Sequence, residues 1–124
     1  MSCTEVTIPQ QDAPGQIHTI CGLVETIGAP MALSLCHAQD EEMLQGWCRK
    51  ETPVPLMAQA HAESFWATWS ILAQRYPPNV CRTWFARENP NLGYTSPIRE
   101  LRLGNTENVI NAAYDFRGER NPAR

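Results

Sequence analysis

The longest uninterrupted helical pattern in the chain runs from Pro55 to Tyr76, "PLMAQAHAESFWATWSILAQRY", and stops at Pro77-Pro78. Placed at about 100° per residue on a helical wheel, Ala58, Ala62, Phe65, Trp66, Trp69, Leu72, Ala73 and Tyr76 gather into one broad arc. Leu56, Ala60, Ala67 and Ile71 form a second, thinner stripe flanked by Glu63, Ser64, Gln74 and Arg75. A helix apolar on two sides is usually buried between two layers. The segment is therefore expected to be a spine shared by an N-terminal and a C-terminal half. Dimerisation through the second stripe is the alternative.

Shorter helical patterns surround the spine. Ile17, Ile20, Cys21, Val24 and Ile27 fall at helical spacing, and Gly28 supplies a stop. Pro30 can open a second helix, Met31 to Cys36, because proline in the first turn forfeits no intrahelical bond. In "DEEMLQGWCRK" Asp40 can cap a third helix, with Glu41 and Glu42 in its positive first turn and Met43, Leu44 and Trp47 on its apolar side. After the spine, Val80, Cys81, Trp84 and Phe85 make two i,i+4 pairs. Asn89-Pro90 starts a turn, Gly93 suits a positive φ, and Ser96-Pro97 is a cap followed by proline. Ile98 and Leu101 face inward and Gly104 ends that short helix. Asn105 caps a last one, with Val109, Ile110 and Ala113 apolar together with Tyr114 or Phe116. No segment alternates with period two, so an all-α protein without a sheet is expected. The reading divides the chain into a flexible N-terminal tail (1–15), a helix-turn-helix-like unit (16–54), the spine (55–76) and a C-terminal unit with its tail (77–124).

Composition narrows the function classes. At 124 residues and 43% hydrophobic, the chain can bury one core. Its net charge of −3 provides no general field for nucleic acid or anionic membrane, and no apolar run approaches the roughly 18 residues of a spanning helix. The opening residues carry no basic n-region, so they do not read as a signal peptide. The odd set Cys3, Cys21, Cys36, Cys48 and Cys81, without a close pair, argues against a disulfide framework and for a reducing cytoplasm. A metal site would have to use Cys36, His37 and Cys48 with His18 or His61. Without a Cys-x-x-Cys pair, buried thiols acting as small hydrophobes are the better reading. No metal and no cofactor are expected. An enzyme would have to rest on Cys36-His37 or His61 with Glu63, and neither comes with a third, orienting group. No enzyme is expected.

One stretch is more specific. "W-x-x-x-x-N-P-N-L-G-x-x-S-P-I-x-E-L-x-x-G", from Trp84 to Gly104 and followed by a capped helix, resembles the toxin-binding domain of the MbcA/ParS/Xre antitoxins. Trp84, Asn89, Pro90, Leu92, Gly93, Pro97, Leu101 and Gly104 match that pattern in order. The helix-turn-helix half matches loosely, through Trp47 and Pro55. The resemblance implies a degenerate Xre-like helix-turn-helix, then a long central helix and a small helical toxin-binding domain. It also implies a cytoplasmic antitoxin that inhibits a RES-domain toxin, an enzyme that consumes NAD or transfers ADP-ribose, by covering its active site. A homodimer or a hetero-oligomer with the toxin fits that role.

The matched residues are expected to shape a platform. Asn91, Tyr94 and Arg99 on it are candidate toxin contacts, as are Tyr114 and Phe116 at the end of the last helix and Arg117, Arg120 and Arg124 in the solvated tail after it, with residues 114–124 expected to order on binding. Aromatic and arginine side chains suit such a contact because they anchor interfaces and bridge phosphate-binding groups. DNA reading, the competing role, is disfavoured. A recognition helix inserts its early residues into the major groove, and this one begins Asp40, Glu41, Glu42. Between Gln16 and Lys50 two cations face four carboxylates, which leaves −2. Gln45, Arg49 and Lys50 are the weak candidates for DNA contact.

Overall fold

The structure, a computed structural model, describes residues 18–123. Among them are seven α-helices and no strand: α1 His18–Ile27, α2 Ala29–Cys36, α3 Glu41–Cys48, α4 Leu56–Ala73, α5 Pro78–Ala86, α6 Pro97–Arg102 and α7 Thr106–Phe116. A 3-10 turn, Pro90–Leu92, lies between α5 and α6. The protein is all-α, as the missing period-two pattern predicts. The nearest thing to a sheet is one isolated bridge, Asn89 with Thr95.

Local signals set most helix ends. Gly28, at φ 87°, separates α1 from α2, and Pro30 sits in the first turn of α2, where its missing N–H costs nothing. Asp40 accepts from the Met43 N–H at 2.9 Å, and Ser96 accepts from the Arg99 N–H at 3.3 Å. Asn105 departs from expectation. It stands at the N-cap of α7 but makes no capping bond, because its amide turns back to donate to Glu100 Oε1 at 3.1 Å.

The spine packs on α1 and α2 on one side of the sequence and on α5, α6 and α7 on the other. Its buried residues are Ala58, Ala62, Phe65, Thr68 and Leu72. Phe65 is the centre of the core, with ring centroids 5.0 Å from Trp66, 5.7 Å from Trp69 and 4.6 Å from Phe85. Trp66 and Trp69 are only half-buried, packed on the rim of that cluster. Thr68 is fully buried because its hydroxyl donates to the Ser64 carbonyl one turn back, at 2.9 Å.

The two-layer expectation for the spine fails. Leu56 is 83% exposed, Ala60 and Ala67 are exposed, and only Ile71 is partly covered. The five covering helices converge on one face, and small residues on the other need no cover. The halves also meet without the spine. The Arg102 Nε donates to the Ser34 carbonyl at 2.9 Å, and His37 Nε2 lies 3.1 Å from the Arg102 carbonyl, joining α2 to α6.

The cysteine expectation holds for Cys36 and Cys81, which are buried free thiols, and fails at one pair. Cys21 in α1 and Cys48 at the end of α3 are joined as a disulfide, with Cα atoms 5.2 Å apart. Their 27-residue separation hid the pair, because only the folding of α3 against α1 brings them together.

Candidate functional site: the C-terminal platform

The platform is built on a loop that hydrogen-bonds to itself. Asn89 is buried, and its side chain accepts from the Asn91 N–H at 2.9 Å. Its carbonyl accepts from the N–H groups of Leu92 and Tyr94, both at 2.9 Å, and its own N–H donates to Thr95 at 3.0 Å. Thr95 then donates to Glu100 Oε2 at 3.1 Å, and the other oxygen of Glu100 holds Asn105. One carboxylate thus links the loop, α6 and the start of α7. Asn89 is legible in the sequence as turn chemistry, whereas Glu100 leaves no such signal, since its two partners, Thr95 and Asn105, lie outside its own helix.

This clasp forces two successive residues into left-handed backbone, Gly93 at φ 70° and Tyr94 at φ 69°. Glycine accepts that geometry freely, but a residue with a Cβ pays about 1–2 kcal/mol there. Tyr94 nevertheless carries a large aromatic ring, and it is 68% exposed. The ring contributes little to the core while its backbone is strained.

Beside the loop, α5 and the end of α7 border a groove of about 470 Å³, lined on its apolar side by Val80, Trp84, Pro90 and Phe116. Asn79, Thr83, Arg87, Glu88, Asn89 and Asn91 supply its polar lining. Phe116 is 45% exposed, with its ring 6.2 Å from Trp84 and 4.9 Å from Tyr76. The Trp84 indole N–H, buried in this wall, has no hydrogen-bond partner among the described residues. Asn91 also borders a second, polar depression of about 290 Å³ that contains Glu100, Asn108, Asn111 and Asp115.

The expected contacts separate into three groups. Asn91 and Phe116 share the groove, whereas Tyr94 and Arg99 are exposed and do not line it. Arg120 is exposed on the terminal segment, and Arg124 lies outside the described residues. Tyr114 and Arg117 are held within the fold. Arg117 is 11% exposed; its Nη1 donates to the Ile71 carbonyl at 3.0 Å and to Gln74 Oε1 at 2.8 Å. Its Nη2 pairs with Glu119 at 2.8 Å, and its guanidinium lies 5.5 Å from the centre of the Tyr114 ring. Arg75 joins the same Glu119 at 2.7 Å. The segment expected as a solvated tail is therefore fastened to the C-terminal end of α4. Helix ends leave carbonyls unbonded, and Arg117 satisfies one of them. Asn121 adds a bond to Asn111 at 2.7 Å.

In the described part of the N-terminal half, acidic side chains occupy the end of α3 that would face a groove. Glu41 and Glu42 are exposed at the start of α3, Gln45 is half-buried, and Arg49 and Lys50 are exposed only at its far end. The residues a metal site would use do not converge on one point, although the rings of His37 and His61 lie 5.4 Å apart. Cys48 is bonded to Cys21, Cys36 Sγ faces the Ala58 carbonyl, and His61 Nδ1 lies 2.9 Å from the Leu35 carbonyl. Among the described residues no group of three or more His, Cys, Asp or Glu is placed to hold a metal, and no helix is long and apolar enough to cross a membrane. The side chain of His18 lies outside the described set.

Comparison with known protein families, curated proteins and solved structures finds no match to this chain.

Proposed function

We propose that this chain is the antitoxin of a type II toxin–antitoxin pair. It binds a RES-domain toxin through its C-terminal platform and blocks access to the toxin's active site. The observation that carries the reading is Tyr94, an exposed aromatic ring kept on a left-handed backbone by the Asn89 clasp. Strain retained at an exposed residue with no role in the core supports contact with a partner, and tyrosine is among the residues that dominate interface energies. A groove with Phe116 and Asn91 in its lining adjoins the same loop at Asn89–Asn91. In this reading the chain does no chemistry; it covers a pocket in the toxin, and no cofactor enters.

The fastening of Arg117 shifts the inhibitory surface from the terminal segment to the platform. Arg117 and Tyr114 are held within the fold, while Tyr94, Arg99, Asn91 and Phe116 are the contacts, with Arg120 an exposed candidate on the terminal segment. Operator binding is the competing reading, and the exposed carboxylates of Glu41 and Glu42 weigh against it.

The test is co-expression with a RES-domain toxin encoded beside the chain's own gene. Restored growth, preserved NAD and a co-purifying complex are the expected results. Unrelieved toxicity with both proteins folded would defeat the reading. So would nanomolar, steeply salt-sensitive binding of the free chain to its promoter with no toxin contact.

A further inference from the structure

The fold sorts its described cysteines into two kinds. Cys36 and Cys81 are buried and free, and burial pushes both thiols up, Cys36 to about 12. The thiolate is the reactive form, so such thiols are inert. Cys21 and Cys48 differ: both are half-buried, within reach of solvent, and they face each other across the α1–α3 contact. Their Cα separation of 5.2 Å lies in the range that a disulfide spans without backbone movement.

We propose that Cys21 and Cys48 are a reversible dithiol–disulfide couple, a redox latch that fastens the end of α3 to α1. The oxidant is a low-molecular-weight disulfide such as oxidised glutathione. One cysteine thiolate attacks a sulfur of that disulfide, forms a mixed disulfide and expels the first small thiolate. The second cysteine attacks the protein-bound sulfur, closes the Cys21–Cys48 bond and expels the second small thiolate. The protein thiols lose two electrons and two protons, and the small disulfide leaves as two thiols. A small thiol in excess runs the same steps backwards.

The latch acts at the C-terminal end of α3. α3 packs mainly on α1 and α2, and directly after Cys48 the chain turns sharply through Lys50 at φ 64°. Leu44 and Trp47, on the same helix, are buried in the core. Reduction therefore loosens the Cys48–Thr52 end and leaves the core in place. The couple lies away from the C-terminal platform, so the antitoxin reading and the latch stand or fall separately.

The test equilibrates the full chain in glutathione buffers from reducing to oxidising, followed by acid quench, alkylation in denaturant and peptide mapping. The chain has five cysteines. Complete labelling is expected in reducing buffer. In oxidising buffer Cys21 and Cys48 are expected to be protected, in one transition and bonded to each other. Reduction should raise amide hydrogen exchange across residues 41–52 and lower the melting temperature by on the order of 10 °C, with exchange in α7 little changed. Cys21→Ser and, independently, Cys48→Ser should show the reduced exchange pattern in both buffers. Full labelling in every buffer, a bond mapped to Cys3, or unchanged exchange in 41–52 on reduction would each overturn the proposal.

Discussion

Tyr94 sets two demands against each other within one residue. Its φ of 69° is one that glycine takes without cost, so Tyr94→Gly is expected to leave the platform folded and to raise stability by up to about 1 kcal/mol. The same change should weaken toxin inhibition. Chemical denaturation and an inhibition assay on one preparation measure both. A variant that loses stability would mean that the ring supports the fold. Cys36 gives a different test, through pH. Burial holds its thiol protonated up to about 12, while in the unfolded chain it ionises near its ordinary value of about 9. Between those values the folded state binds the extra proton, so stability must fall as pH rises. The slope is about 1.4 kcal/mol per pH unit at most. Urea midpoints at pH 8 and pH 10 should separate further for the natural chain than for Cys36→Ala. Equal separations would show that Cys36 ionises without opposition in the fold.

At the scale of the helix, what could be read from the sequence was what neighbours in sequence decide. Asp40, Ser96, Pro97 and Gly93 act within four residues of themselves, and each stands where its local chemistry predicts. Asn105 shows the limit, because its cap was lost to Glu100, five residues back. The terminal segment shows it more strongly. "RGERNPAR" has no large apolar residue and reads as a solvated tail, yet Arg117 reaches 46 residues back to the Ile71 carbonyl. An arginine anchored by a helix end, a carboxylate and a tyrosine ring leaves no periodic trace. Arg117→Ala is expected to cost on the order of 2 kcal/mol, from hydrogen bonds to a charged group. Arg117→Lys should recover only part, since an ammonium cannot copy the fork. Truncation after Ala113 should likewise destabilise the chain, as thermal melts will register. A tail that can be removed without effect would return these residues to solvent.

Across the whole molecule, the hydrophobic pattern located the spine and the all-α class but not the spine's second face. A wheel counts apolar residues without knowing how many helices arrive or from which side. Here α1, α2, α5, α6 and α7 all crowd onto the face of Phe65 and Thr68. Phe65→Ala should therefore cost about 3–5 kcal/mol, whereas Ala67→Glu should be tolerated with no change in mass by light scattering. A monomer appearing only in Ala67→Glu would make that stripe a dimer interface. The disulfide was hidden for the same reason, since sequence spacing carries no record of which helices meet. The platform was legible as turn chemistry, but its functional reading depends on Tyr94, whose strain and exposure only three dimensions reveal. The most direct measurement is NAD consumption or ADP-ribose transfer by the RES-domain toxin, titrated with the natural chain and with Tyr94→Ala. Near-stoichiometric inhibition by the natural chain is predicted, with at least about 30-fold more Tyr94→Ala needed, as for an interface hot spot. Equal inhibition by both would contradict the account of the platform, and no inhibition by the natural chain would contradict the antitoxin reading itself.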